Sequence, residues 1–220
     1  MNNYSLFIVR LATALKQSSW SKQRVSKGRS PLLLSVALHA WQTGRDRGLS
    51  AAAIAAVDRA HVMAYDDGQD AQRRHSTLEH FELCGRAMVQ NGGWPAHKLI
   101  LGVPFFGRKQ GDFDALTWQD QVKEHLKHSG HLRVNEDTVG GAWCNGIQMA
   151  ARKALRARKQ GYGGVFAWEL GQDSFDRYSL LGALVHGASQ TSKPPGQLAL
   201  VSEQGRRDAQ RDYEAVKRQT

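Results

Sequence analysis

Cysteine is scarce in this 220-residue chain, which contains only Cys84 and Cys144. Their separation gives neither a disulfide framework nor the short ligand spacing of a zinc site. Cys84 lies in an amphipathic helical pattern, where we expect a buried free thiol. His125, His128 and His131 are close in sequence, but a solvated helix end explains them better than a metal site does. The sequence therefore predicts no metal and no cofactor.

Long apolar runs are also absent, since none approaches the roughly 20 residues that a membrane-spanning helix requires. We therefore expect no membrane partner. Residues 1–17 lack a basic region ahead of their apolar residues and a small-residue cleavage site, so they make a poor signal peptide. Two interpretations stay open: the protein is cytoplasmic, or the chain does not include its natural N-terminus. The compartment stays undetermined.

Acidic residues are outnumbered 20 to 30 by lysine and arginine, which gives a formal net charge of +10. Such a charge can indicate nucleic-acid binding. The basic residues are scattered, however, and do not alternate with aromatic residues. A basic solvated surface explains the charge better, so we expect no nucleic-acid partner.

Strand-like apolar segments alternate with helical patterns along most of the chain. We predict strands in 32–40, 61–66, 98–106 and 161–173, and helices near 3–16, 51–57, 77–90, 114–128, 147–160 and 178–185. We predict loops at 18–30 and 135–145. This alternation indicates βαβ units and a parallel sheet in an α/β fold. We expect one domain over 1–187 and a flexible linker with a charged tail over 188–220.

The segment 161–173, GYGGVFAWELGQD, is the most informative of the four strand candidates. A glycine-rich turn leads into the apolar run Val165–Ala167, which ends at Trp168. Such a run predicts a strand buried on both faces. Trp168 then lies at the carboxyl end of the strand, where α/β barrels place their ligand sites. Glu169 and Asp173 have two interpretations, a role in the site or a structural pair with a nearby arginine.

Three segments, HVMAYD, KLILGVPFFGR and GYGGVFAWELGQD, occur in this order at 61–66, 98–108 and 161–173. Together they closely resemble the family-18 glycoside hydrolases, the chitinases and chitinase-like proteins. The resemblance covers roughly residues 3–187. It implies a TIM (β/α)8 barrel in which these segments are strands six, seven and eight, and 32–40 is strand five. The implied fold is therefore the C-terminal half of a barrel.

The resemblance also implies a role for each matching residue. Tyr65 would hydrogen-bond the reacting N-acetyl group, and Asp66 would contact the sugar at the cleavage point. Met63 would pack beneath the acetamide, and Arg108 would bind a sugar hydroxyl or carbonyl. Trp168 would form the apolar floor under the central sugar ring, followed by a cis peptide bond.

Each of these positions also has a purely structural interpretation. Tyr65 and Asp66 could be a strand end that enters a turn, Trp168 could belong to the core, and Arg108 could be a surface charge. The ordered match favours the site interpretation for all four. Trp143 lies in a loop that borders the cleft in relatives, and we include it as a candidate sugar contact.

The catalytic motif of the family has no counterpart in this sequence. Family-18 enzymes use the substrate's own N-acetyl oxygen as nucleophile and a single Glu as general acid. That Glu ends a D-x-x-D-x-D-x-E motif on strand four. The nearest carboxylates here, Asp66, Asp67 and Asp70, have the wrong spacing and include no Glu.

The missing motif leads to two hypotheses. In the first, the chain is a fragment of a chitinase acting on β-1,4-linked N-acetylglucosamine polymers, inactive alone, with the N-terminal half barrel as a partner. In the second, it is a non-catalytic protein that binds chitin or its oligosaccharides. Members of the family are often secreted, although this chain shows no signal peptide.

Overall fold

A computed structural model describes residues 3–41, 48–68, 70, 74–109 and 114–190. Most of the predicted linker and tail, 191–220, lies outside the described residues. The chain divides into two compact units. The first comprises Met1–Tyr65, Glu79–Gly102 and Ala157–Phe166, and the second comprises Asp66–Leu78, Val103–Arg156 and Ala167–Thr220. The boundary passes through the last residues of two strands, so each unit is described on its own terms.

The first unit is built on a four-stranded sheet. Its strands are β1 (Ser35–His39), β2 (Arg59–Met63), β3 (Leu99–Pro104) and, later in the chain, β8 (Gly164–Trp168), in the order β1-β2-β3-β8. Strands β1 and β2 are parallel, from Ser35 opposite Arg59 to His39 opposite Met63. Strands β2 and β3 are also parallel, with Ala60 opposite Leu99 and Val62 opposite Leu101. The parallel α/β arrangement is as predicted.

The helices that belong with this sheet are α1 (Asn3–Gln17), α2 (Ser19–Ser26), α3 (Ala51–Ala56) and α4 (Leu78–Gln90). Ser50 is the N-cap of α3, and its side chain accepts a hydrogen bond from the N–H of Ala53. The inward sides of the elements are fully buried: Val62 on β2, Leu101 on β3, and Phe81 and Met88 on α4 each have 0% exposure. Burial of these apolar side chains is the main stabilising contribution to this unit.

Helix α2 shows that the prediction of a loop at 18–30 was wrong. Its N-cap is Ser18, whose side chain accepts a hydrogen bond from the N–H of Ser21. The segment is polar and has no continuous apolar face, so hydrophobic periodicity gives no helical signal there. The capping serine is the local signal that hydrophobic periodicity overlooks.

Strand β8 is also less buried than the sequence predicts. The prediction was burial on both faces, yet Val165, Phe166 and Ala167 are half-buried and Trp168 is 53% exposed. Among the described residues, β8 is an end strand of the sheet and has β3 as its neighbour. One side of an end strand has no neighbouring strand to cover it, which leaves its side chains more accessible.

The longest segment of the second unit, Val103–Arg156, starts with the last two residues of β3. Pro104 ends that strand, because proline has no N–H to continue the ladder. Strand β4 (Phe106–Gly107) then pairs antiparallel with β5 (Leu116–Thr117). Helix α5 (Trp118–Ser129) starts later than predicted, since Thr117 is paired in β5 and caps the helix through the N–H of Asp120.

The predicted loop at 135–145 contains a small hairpin. Strands β6 (Thr138–Val139) and β7 (Ala142–Trp143) pair antiparallel through the two-residue turn Gly140–Gly141, where both glycines have positive φ. Two successive residues with positive φ give the turn type that matches the twist of a hairpin. Helices α6 (Ile147–Lys159) and α7 (Leu180–Ser189) complete the unit. Across the described residues, every helix falls short of the length and hydropathy needed to cross a bilayer.

Candidate functional site

Met63 and Tyr65 lie at the carboxyl end of β2, in the first unit. Met63 is the last residue of the strand, opposite His39 of β1, and is half-buried. Tyr65 follows with 9% exposure, and its ring meets the ring of Phe166 edge-on at 6.4 Å. A Cβ atom at Gly102 would lie only 2.6 Å from the Tyr65 ring. The glycine on β3 therefore makes room for the tyrosine.

Asp66 and Arg108 form an ion pair in the second unit. Arg108 Nε donates to Asp66 Oδ1 at 2.6 Å, and Nη2 donates to Oδ2 at 3.0 Å. Asp66 has a positive φ of 60°, a conformation that non-glycine residues adopt infrequently and that Asp tolerates better than most. Two parallel charge-assisted bonds fix the guanidinium and the carboxylate in one plane.

His75 lies beside this pair and is almost fully buried, with 3% exposure. Its Nδ1 is 3.3 Å from Asp66 Oδ1, within ion-pair distance but outside good hydrogen-bond geometry. The ring stacks on Phe106 at 5.0 Å and meets Trp143 edge-on at 5.6 Å. The N–H of Asp67 donates to the His75 carbonyl, which ties the segment together.

The pKa values of Asp66 and His75 both lie below the ordinary range. Burial raises the pKa of Asp66, but the contact with His75 and the guanidinium of Arg108 outweigh burial and hold that pKa well below its usual value. Burial lowers the pKa of His75, and the charges of Arg108 and Lys153 lower it further against the opposing effect of Asp66. At neutral pH, the site therefore contains an ionised carboxylate beside a neutral imidazole.

The backbone of Arg108 is hydrogen-bonded to the β6–β7 hairpin. The backbone N–H of Arg108 donates to the Trp143 carbonyl at 2.9 Å, and the Trp143 N–H donates to the Arg108 carbonyl at 3.0 Å. The guanidinium carbon lies 5.0 Å from the centre of the Phe106 ring, a cation–π distance. The structure thus brings together five side chains: the predicted residues Asp66, Arg108 and Trp143, together with His75 and Phe106.

Trp168 lies in the same unit, and its side chain is 53% exposed. Its carbonyl accepts a hydrogen bond from the N–H of Phe105 at 2.8 Å, which anchors the backbone there. The Trp168–Glu169 peptide bond is cis, as the family resemblance implies. An anchored backbone beneath an exposed indole suits a stacking platform.

Of the two interpretations of Asp173, the contacts support a structural role, although the partners are backbone N–H groups and a serine hydroxyl. Asp173 is buried, and its carboxylate accepts the backbone N–H groups of Ser174, Leu180 and Leu181 and the hydroxyl of Ser179. These bonds satisfy donors at the start of α7, where a negative charge is favoured. The role of Asp173 is structural. Glu169, by contrast, is exposed.

His75 and Phe106 were not predicted as members of the cluster. His75 follows a polar segment without hydrophobic periodicity. Phe106 has the pattern of an ordinary apolar residue in a strand. The pairing that brings them together depends on the tertiary fold. Within the described residues, no group of three or more His, Cys, Asp or Glu side chains could hold a metal ion. Cys84 and Cys144 are buried free thiols, as predicted for Cys84.

Comparison with known proteins identifies the family. The model described as "Glycosyl hydrolases family 18" matches residues 1–173. Among solved structures, the GH18 chitinase ChiB of Flavobacterium johnsoniae is 27% identical with a TM-score of 0.64, over 84% of this chain and 55% of that one. A chitinase of Chromobacterium violaceum is 24% identical with a TM-score of 0.61, over 86% and 62%. A GH18 chitinase of Cycas revoluta is 21% identical with a TM-score of 0.62, over 84% and 62%.

This chain therefore spans 55–62% of the length of these three solved structures. With its parallel sheet of four strands, it corresponds to part of their eight-stranded barrel, which confirms the predicted fold class. The family model covers well over half of the chain. The chain belongs to glycosyl hydrolase family 18.

Proposed function

We propose that this chain is the sugar-binding C-terminal half of a chitinase-type hydrolase that acts on β-1,4-linked N-acetylglucosamine polymers. Family membership supports the reaction class. Two relatives of similar fold were solved with such ligands: the Cycas revoluta chitinase with (GlcNAc)3 and a Nicotiana class V chitinase variant with NAG4. The observation that carries the proposal is the bidentate Asp66–Arg108 ion pair, in the same unit as the exposed Trp168.

The proposed binding chemistry follows from the sugar. A pyranose ring has apolar C–H faces and a rim of hydroxyl groups, so its site needs an aromatic surface with a few fixed polar groups. Trp168 would supply the surface, while Asp66 and Arg108 would accept from and donate to the rim. Trp143 would add a further contact. The roles of Tyr65 with the N-acetyl group and of Met63 beneath it rest on the family resemblance.

The chain alone is expected to bind without turnover. Family-18 hydrolysis is substrate-assisted and retaining, an exception to the scheme with two catalytic carboxylates. Its general acid ends the D-x-x-D-x-D-x-E motif, which this sequence lacks. A general acid contributes on the order of 10²- to 10⁴-fold to the rate. We infer that the acid comes from the other half of the barrel, and we propose that half as the protein partner.

The test uses the purified chain with chitin beads, cellulose beads and soluble (GlcNAc)4. Cellulose is the control because it has the same linkage without N-acetyl groups. We expect retention on chitin, little on cellulose, and no release of reducing ends. If folded protein passes through the chitin column, the binding proposal is wrong. If (GlcNAc)4 is cleaved, the chain has its own acid and the proposed division of labour is wrong.

The alternative is a chitin-binding protein that never was part of an enzyme. Both proposals predict retention on chitin without hydrolysis, so the bead experiment does not distinguish them. The coding sequence directly upstream of the Met1 codon separates them. An in-frame D-x-x-D-x-D-x-E motif there supports the hydrolase, and unrelated sequence or a promoter supports the binding protein.

A further inference from the structure

Helix α6 carries a completely buried lysine that is hydrogen-bonded to Ser76, the residue after His75. Lys153 has 0% exposure. Its Nζ donates to the Ser76 carbonyl at 2.7 Å, to Ser76 Oγ at 2.7 Å and to Asn145 Oδ1 at 2.6 Å. A protonated lysine has three donors and no acceptor, so these three oxygens match it fully.

Asn145 closes the network. Its Nδ2 donates to the Ser76 carbonyl at 2.9 Å while its Oδ1 accepts from Lys153. The backbone of Ser76 is therefore bound from two elements, α6 and the segment after the β6–β7 hairpin. A buried charge is tolerated only when its hydrogen bonds are made, so Ser76 has little freedom to move while Lys153 remains protonated.

Ser76 is the residue that follows His75. The His75 ring stands between Phe106 and Trp143, and its Nδ1 touches Asp66. Because the two residues are adjacent in the chain, restraint of the Ser76 backbone also restricts the position of the His75 side chain. A displaced ring would withdraw its contact from Asp66 and open space beneath the ion pair.

We propose that Lys153 is a positioning residue that seats His75 against Asp66 through Ser76 and thereby holds the Asp66–Arg108 pair in its binding geometry. The part of this proposal that concerns sugar affinity rests on the proposed function. The part that concerns His75 does not, because it can be measured without a ligand. In metal sites, loss of a comparable outer support typically costs on the order of 10- to 100-fold in affinity.

The test compares Lys153→Met with Lys159→Met in the full chain. Lys159 is on the same helix but exposed, so the chemical change is matched and the network is untouched. NMR reports on His75 directly, since the flanking aromatic rings shift its ring protons according to their distance. We expect Lys153→Met to move the His75 ring signals and the Arg108 Nε–H signal, and Lys159→Met to leave them in place.

The second readout is the affinity for (GlcNAc)4 by calorimetry, at a temperature where each variant is folded. We expect about a tenfold loss for Lys153→Met, at the low end of that range, and none for Lys159→Met. Ser76→Ala removes one acceptor and keeps the carbonyl. It replaces Lys153→Met if that variant does not fold, with a smaller shift in the same direction.

Two results would overturn the proposal. A lower melting temperature with unchanged His75 signals would make Lys153 a stabilising residue only. Shifted His75 signals with unchanged affinity for (GlcNAc)4 would show that the position of the His75 ring does not determine sugar binding. If the wild-type chain has no affinity for (GlcNAc)4, the proposed function is wrong. The His75 signals alone then decide whether Lys153 positions the His75 ring.

Discussion

Arg108 grips Asp66 with two donors, Nε at 2.6 Å and Nη2 at 3.0 Å from the two carboxylate oxygens. The residues are 42 positions apart, with Asp66 in the segment after β2 and Arg108 directly after β4. The pair therefore links two segments of the second unit that are distant in sequence. A carboxylate accepts and a guanidinium donates hydrogen bonds, which are the two kinds of contact that the hydroxyl rim of a sugar makes.

The strength of this pair is open to a double-mutant cycle. Arg108→Lys keeps the charge but loses the planar fork, and Asp66→Asn keeps the shape but loses the charge. Because the side chains are 22% and 41% exposed, we expect a coupling free energy of about 1 kcal/mol. Urea unfolding of the two single variants and the double variant measures it. Strictly additive effects would mean that the pair contributes nothing to stability.

His75 should titrate below an ordinary histidine. Burial is the largest cause of its lowered pKa, and Asp66 opposes it. Removal of the opposing carboxylate in Asp66→Asn should therefore lower the pKa of His75 further. As the pH falls below about 6.5, His75 becomes protonated in the unfolded chain before it does in the folded chain. The free energy of unfolding therefore decreases.

Long-range proton–nitrogen NMR spectra between pH 5 and 8 follow the His75 ring nitrogens. In the wild type, His75 should be less protonated at pH 6.5 than a free histidine, which is about half protonated there. A higher pKa for His75 in Asp66→Asn than in the wild type would contradict the assigned cause.

Gly107 has no room for a side chain. A Cβ atom there would lie 2.6 Å from Gln121 Oε1 and 2.9 Å from the Trp143 carbonyl oxygen. Gly107→Ala should push the β6–β7 hairpin away from Arg108 and cost roughly 1–3 kcal/mol. Gly130→Ala is not a clean control because of its positive φ, whereas Gly68→Ala meets open space. Thermal unfolding of both variants tests this, and equal melting temperatures would refute it.

Asp173 should prove a stability residue. Its carboxylate accepts three backbone N–H groups and the Ser179 hydroxyl at the start of α7. Asp173→Ala leaves those buried donors without a partner, which should cost roughly 2 kcal/mol or more. Asp176→Ala is the matched control, because Asp176 is exposed and its carboxylate accepts from Ser174 Oγ and the Tyr178 N–H. A larger loss in the control than in Asp173→Ala would contradict the assignment.

Strand ends and most helices were predictable because their signals are local. Ser50 caps α3, Pro104 ends β3, and apolar runs mark the buried strands. The hairpin at 138–143 was missed although its signal was also local. A Gly-Gly pair such as Gly140–Gly141 is a recognised hairpin turn, but strands of only two residues are too short to show an alternating pattern.

The polar cluster was less predictable than the fold. The family resemblance pointed to Asp66, Arg108 and Trp143, but the contact of His75 with Asp66 links residues through tertiary packing that no sequence period records. The same holds for Lys153, which the sequence places on a helix rich in Ala and Arg. Its burial follows from acceptors supplied 8 and 77 residues away.

The most direct test of the sugar-binding account is calorimetric titration of (GlcNAc)4 into the wild type, Trp168→Ala and Trp20→Ala. Both tryptophans are largely exposed, at 53% and 68%, so neither change should impair folding. Truncation of an aromatic anchor typically costs about 2 kcal/mol or more, which is over tenfold in affinity. We predict that loss for Trp168→Ala and wild-type affinity for Trp20→Ala. Equal affinity in all three proteins would contradict the assignment of Trp168 as the sugar platform.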